Sequence, residues 1–208
     1  MLKVGLTGGI ACGKSTVAAM LAERGANTLQ ADLVARELMC PGHAVYDAVV
    51  RRFGREILNR DKTINRVRLA EAVFSPEHPR IAELNEIVHP AVLAYQQQWL
   101  EETSRREPRS VAVVEAALIL EAGARNQFDK IVVVTCGPHQ KPERLSQRMG
   151  IPLAEAEGEV VRRSAAQWRD EEKLRCADYV IDSSGTLADT EEKVEKLWRE
   201  LSVLASLR

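Results

Sequence analysis

The residues Gly8-Gly9-Ile10-Ala11-Cys12-Gly13-Lys14-Ser15-Thr16 have the types and spacing to hold a polyphosphate. They fit the pattern G-x-x-x-x-G-K-[ST], with Gly8 first and Gly13-Lys14-Ser15 last. Phosphates are well solvated in water, so a protein must replace that solvation from many directions at once. A glycine-rich loop does this by turning successive N–H groups inward, and the start of a following helix adds its positive dipole end. Gly9, Ile10, Ala11, Cys12, Gly13, Lys14, Ser15 and Thr16 are therefore the expected phosphate-binding residues. Lys14 would reach the β- and γ-phosphates, and the Ser15 hydroxyl would ligate Mg²⁺. Cys12 stands near a helix start, which can acidify a thiol, so oxidation sensitivity is expected in the nucleotide-free protein.

The motif needs a strand before it and a helix after it, and the sequence supplies both. Lys3-Val4-Gly5-Leu6-Thr7 reads as a buried strand. Val17, Met20 and Leu21 then fall on one helical face, with Gly25 at the helix end. Further strands are expected at 26–31, 110–114, 130–135 and 179–181. The first is a short candidate, whereas the unbroken, largely β-branched runs at 110–114 and 130–135 suit a parallel sheet covered on both faces. Five strands alternating with helices predict an α/β fold, a P-loop kinase core with a five-stranded parallel sheet flanked by helices.

Between Asp32 and Ser110 no strand pattern occurs. Helices are expected from 32 to 39, from about 45 to a stop at Gly54, and from an Asn65 cap to Phe74. A longer helical region is expected to open at Ser75-Pro76 and to kink or restart at Pro90. This stretch, 33–105, reads as a helical substrate-binding insertion within a single domain of 1–208. Residues 138–176 read as a helical lid, broken at Gly150 and Pro152. Arg144 and Arg148 lie four apart on one face of it, either closing over phosphates or forming a solvated charged face. Their place after the fourth strand favours the first. Val194, Leu197, Trp198 and Leu201 form the buried stripe of a last helix.

Composition excludes several classes. The chain has 208 residues, a 45% hydrophobic content and a net charge of −1, enough for a core but without a nucleic-acid-binding basic excess. Only 4% of residues are aromatic, too few for base-stacking platforms. The four cysteines are scattered with no C-x-x-C, which points to a reduced, cytoplasmic setting rather than a disulfide framework. No signal peptide or membrane-length apolar run is present, so no membrane partner is expected. A guanine-recognising N-K-x-D element is missing after a late strand, and nothing beyond Glu115 follows a motor pattern. A small-molecule kinase fits best.

The chain resembles the dephospho-coenzyme A kinase family. The resemblance runs from Leu6-Thr7-Gly8-Gly9-Ile10 into Gly13-Lys14-Ser15-Thr16, then through Ala31-Asp32 with Ala35-Arg36 and Val88-His89-Pro90. It continues with Leu118-Ile119-Leu120-Glu121, Arg144, Arg148, Gln167 and Ala177-Asp178-Tyr179-Val180-Ile181-Asp182. It implies transfer of the γ-phosphoryl of ATP to the 3′-hydroxyl of dephospho-CoA, the last step of CoA synthesis, with ATP and Mg²⁺ required. The alternatives are a P-loop kinase of another acceptor and a non-catalytic ATP-binding protein. Asp32, after a strand expected to adjoin the phosphate loop, would be the catalytic carboxylate with Lys14 and Arg144; its other reading is a helix N-cap. Arg36, one turn on, would meet an anionic part of the acceptor or make a surface ion pair. His89 either contacts the acceptor or satisfies carbonyls freed by Pro90, and Leu118 is a further expected acceptor contact. Glu115 would hold magnesium through water, Glu121 would bind or brace, and adenine would sit between the lid and the segment after Ile181. The chain departs from the family's usual residues at Ala11, Cys12, Gln30, Ala117 and Ser183. Ala11 matters only if its position needs a positive φ.

Overall fold

The computed structural model describes residues 1–75 and 78–208. The chain forms two compact units, one of 1–30 and 100–208, the other of 31–99.

The first unit is built on a parallel sheet of β1 (Leu2–Gly8), β2 (Asn27–Gln30), β3 (Val111–Glu115), β4 (Lys130–Thr135) and β5 (Tyr179–Asp182), in the order β2-β3-β1-β4-β5. The five strands lie at the five expected positions, with ends shifted by a residue at most. β2 pairs with β3 and not with β1, so the strand leading to Asp32 is one strand removed from the phosphate loop. That corrects the expectation of adjacency. Val4, Leu6, Val113, Val132 and Val134 are fully buried, as central strands covered on both faces require. α1 (Lys14–Glu23) buries Val17, Met20 and Leu21 on one face of the sheet. α9 (Leu187–Ser206) adds Val194, Leu197 and Leu201 to the same core, each contributing about 1.5–3 kcal/mol of transfer free energy. Trp198 packs at its edge as structure.

The register sets the functional edge. Leu6 pairs with Glu115, Gly8 with Val134, and Thr135 with Asp182. The C-terminal ends of β1, β3, β4 and β5 therefore come out together. Three helices of the 138–176 segment follow β4: α6 (Gln140–Met149), α7 (Leu153–Ser164) and α8 (Asp170–Arg175). Gly150, at φ 65, closes α6, and Pro152 precedes α7, as the expected break requires.

The second unit is helical. α2 (Ala31–Leu38), α3 (Ala44–Phe53), α4 (Arg66–Val73) and the first part of α5 (Ile81–Arg106) enclose Val45, Val49, Phe53, Ile57, Leu69, Val73 and Val88. The Asn65 side chain caps α4 by accepting from Val67 and Arg68 N–H. Gly54 ends α3 at φ 87. The expected opening at Pro76 lies outside the described residues, and α5 begins at Ile81. The helix continues through Pro90 instead of restarting; residue 86, whose carbonyl loses its partner there, is exposed to water. No described helix is long and apolar enough to cross a membrane.

Candidate active site

Gly8 carries the chain out of β1 at φ 149, and a Cβ there would stand 2.1 Å from the Val134 carbonyl oxygen. Only glycine allows the loop to leave the sheet so close to β4. Ala11 follows at φ 56 and Gly13 at φ 83. Ala11 thus does occupy the left-handed region, at a cost of about 1–2 kcal/mol that glycine would avoid. The strain is held in place by packing. Ile10 is buried against Leu145 of α6 and Ala156 of α7, with Ala11 beside it. Ile10 and Ala11 therefore turn their side chains toward α6 and α7.

Lys14 Nζ donates to the Gly8 and Gly9 carbonyls at 3.1 and 3.0 Å, which holds its ammonium over the loop. Ser15 and Thr16 are exposed at the start of α1. The Ser15 hydroxyl donates to Glu115 Oε1 at 2.7 Å. A hydroxyl and a carboxylate brought together beside a phosphate loop are hard oxygen donors of the kind Mg²⁺ takes. The register pairing of Leu6 with Glu115 makes that meeting possible.

Two residues the sequence did not single out complete this edge. Lys141 of α6 donates to Asp170 of α8 at 2.5 Å. A Cβ placed on Gly9 would lie 3.1 Å from Lys141 Nζ and 3.2 Å from Asp170 Oδ1, so this ion pair sits against the phosphate loop. Burial pushes the Lys141 ammonium down, but the Asp170 hydrogen bond and neighbouring anions outweigh it and hold it above its ordinary value. The Arg144 guanidinium donates to Ser183 Oγ at 3.0 Å and to the Ser183 carbonyl at 2.6 Å. Ser183 Oγ in turn lies 2.9 Å from the Cys12 carbonyl. Arg144 is therefore anchored to the loop after β5 and, through it, to the phosphate loop. Arg148, one turn further along α6, is exposed.

The turn after β3 is tied to the 167–173 segment. Glu121 Oε1 accepts from Trp168 N–H at 2.8 Å and pairs with Lys173 Nζ at 3.0 Å. Lys173 is fully buried, and the ion pair with Glu121 offsets the cost of taking its side chain out of water. Glu121 is thus a brace. Gln167 and Lys173 also donate to the Ala117 carbonyl, at 3.3 and 3.5 Å. Leu118 is half-buried in the same turn.

The expectation of an acidified Cys12 is overturned. Its thiol is buried 3.0 Å from that of Cys136, just past β4. The Cys136 interaction, then burial, pushes the Cys12 thiol up. Cys136 is the acidic member, lowered to about 7 by the Cys12 hydrogen bond against the opposing effect of burial, with Arg144 and Lys141 assisting.

In the helical unit, Asp32 is the second residue of α2 and Arg36 lies one turn on. Asp32 is therefore inside the first turn and is not the N-cap. His89 is exposed in α5.

The dephospho-CoA kinase family matches residues 2–189 of the chain. A dephospho-CoA kinase of Geobacter metallireducens is 44% identical over 200 residues, covering 96% of each chain. A structure of TT1252 from Thermus thermophilus is 30% identical and covers 100% of this chain and 98% of its own, with a TM-score of 0.75. That of a dephospho-CoA kinase from Campylobacter jejuni shares the fold at 24% identity, with 97% of each chain covered and a TM-score of 0.63.

Proposed function

The chain belongs to the dephospho-CoA kinase family, and from that premise we infer how its residues divide the work of the reaction. The enzyme transfers the γ-phosphoryl of ATP to the 3′-hydroxyl of dephospho-CoA, giving CoA and ADP. The 3′-oxygen forms a bond to the γ-phosphorus while the bond to the β,γ-bridging oxygen breaks, and the hydroxyl proton must leave.

Such a transfer asks the protein for alignment and charge neutralisation more than for covalent chemistry. In our reading the amides from Gly9 to Thr16 hold the triphosphate and Lys14 neutralises its β,γ end. Ser15, with Glu115 behind it, would hold Mg²⁺, which supplies positive charge to the β- and γ-oxygens. Arg144 and Arg148 close from α6 onto the transferring group, and adenine lies between the lid and the segment after Ile181. Asp32, two residues past β2, takes the 3′-hydroxyl proton. Unit 31–99 receives the acceptor, with Arg36 meeting its anionic part and His89 contacting it; Leu118 contacts it from the turn after β3. The single observation carrying the site assignment is the Ser15–Glu115 contact at 2.7 Å beside Lys14, which joins the start of α1 to the end of β3 across 100 positions of sequence. Four cysteines whose sequence spacing forms neither a C-x-x-C nor a disulfide framework support a cytoplasmic location.

ATP consumption measured with and without dephospho-CoA tests the activity. Turnover that starts only on adding dephospho-CoA is expected, with CoA as the product. Turnover with a different hydroxyl acceptor alone would replace the substrate, and none with any acceptor would leave a binding protein.

Lys141 and Asp170 enter the same reading. A triphosphate beside Gly9 competes with the Asp170 carboxylate for the Lys141 ammonium. Lys141→Gln is expected to raise the KM for ATP by about tenfold or more, the worth of one charge-assisted hydrogen bond. Asp170→Asn is expected to lower it. Steady-state kinetics at saturating dephospho-CoA reads both. A purely structural ion pair, broken from either side, would shift the two variants in the same direction.

A further inference from the structure

Cys12 and Cys136 are 124 positions apart in sequence, yet the fold sets their sulfurs 3.0 Å apart inside the first unit. Both are buried, Cys136 with a sliver of surface. Cys12 belongs to the phosphate loop between Ala11 and Gly13, two residues already in left-handed conformations. Its sulfur also lies 3.1 Å from where a Gly9 Cβ would stand, beside Lys141. The other two thiols are placed elsewhere: Cys40 is exposed in the helical unit, and Cys176 is half-buried after α8. Both cysteines also belong to the apolar core around β1 and β4, so packing holds the two thiols facing each other.

We propose that Cys12 and Cys136 form a redox-modification site, which a hydroperoxide converts to an intramolecular disulfide that disables the phosphate loop. The acidic member, at about 7, is the one that reacts first, since the thiolate is the nucleophile. Cys136 thiolate sulfur attacks the peroxide oxygen, the O–O bond breaks, and the departing oxygen takes up the proton that the thiol released to solvent and leaves as water or an alcohol. The resulting sulfenic acid is attacked by Cys12 sulfur; its S–O bond breaks and the hydroxyl leaves as water with the Cys12 proton. The two thiols lose two electrons to the peroxide, and an external dithiol returns them.

Bond formation draws the sulfurs to a separation of about 2.05 Å. The strand end behind Cys136 is held on both sides, by β1 and by β5. The phosphate loop is the part left to move, taking the Cys12 and Gly13 N–H groups out of line and straining the Ser183–Cys12 contact. The consequence for nucleotide binding rests on the phosphate-loop reading above; the bond itself does not.

The test uses the full chain carrying Cys40→Ser and Cys176→Ser, which leaves only this thiol pair. After hydrogen peroxide and quenching, peptides are mapped without reduction, and affinity is read by titration with a fluorescent ATP analogue. A Cys12–Cys136 linked peptide is expected, with nucleotide binding weakened by about tenfold or more, the loss of at least one charge-assisted N–H contact. Dithiothreitol should restore binding, and adding Cys136→Ser should prevent formation of the link. Free thiols, or overoxidation without a link, would overturn the proposal; a link that leaves affinity unchanged would overturn its regulatory part. Reduced protein that binds no nucleotide would instead fail the phosphate-loop reading, while the peptide map still decides the chemistry.

Discussion

Asp32→Asn is expected to lower kcat for dephospho-CoA phosphorylation by about 10²–10⁴-fold, the span attributed to a positioned general base. ATP affinity should stay where it is, because the proposed triphosphate contacts come from the phosphate loop and not from α2. Asparagine keeps the shape of the side chain and its capacity to accept a hydrogen bond, but it cannot take up the 3′-hydroxyl proton. The substitution also separates the two readings of this residue. Asp32 sits in the first turn of α2, where a carboxylate gains about 0.3–1 kcal/mol from the helix dipole. Losing that charge costs little in folding, so urea denaturation should move only slightly. A wild-type kcat with a marked loss of stability would return Asp32 to a structural role.

Arg144→Ala is expected to reduce kcat/KM by about 10³-fold, as removal of a cation that neutralises the transferring phosphoryl group does. The structure supplies a control for the alternative, that Arg144 only holds the loop after β5. Its guanidinium contacts that loop through Ser183 Oγ and the Ser183 carbonyl. Ser183→Ala removes the first contact and keeps the second, and should cost less than about tenfold, the worth of one hydrogen bond. Arg144→Lys keeps the charge but not the two-pronged grip, so it should recover part of the activity. Equal losses for Arg144→Ala and Ser183→Ala would mean that bracing, not charge, is what Arg144 contributes.

Much of the fold is readable from local pattern because its causes are local. The runs at 111–115 and 130–135 are β-branched and unbroken, and a chain of that kind has little choice but a strand buried on both faces. Asn65, Gly54 and Gly150 mark helix ends by side-chain capping or by tolerance of positive φ. The phosphate loop is legible because its chemistry is carried by backbone and by neighbours in sequence.

Tertiary structure alone decided the rest. Placing β3 between β1 and β2 is a matter of crossover topology, which no residue of β2 encodes by itself. That order, with its register, brings Glu115 to Ser15. Helices α6 and α8, meeting beside Gly9, set Lys141 against Asp170 across 29 positions of sequence. Arg144 on Ser183 and Cys12 on Cys136 arise in the same way, at separations of 39 and 124. Hydrophobic periodicity says which face of an element is buried, but not which element covers it. The sequence alone determined the phosphate-loop motif and the strand and helix that carry it; the packing of distant segments decided which charges and thiols stand around it.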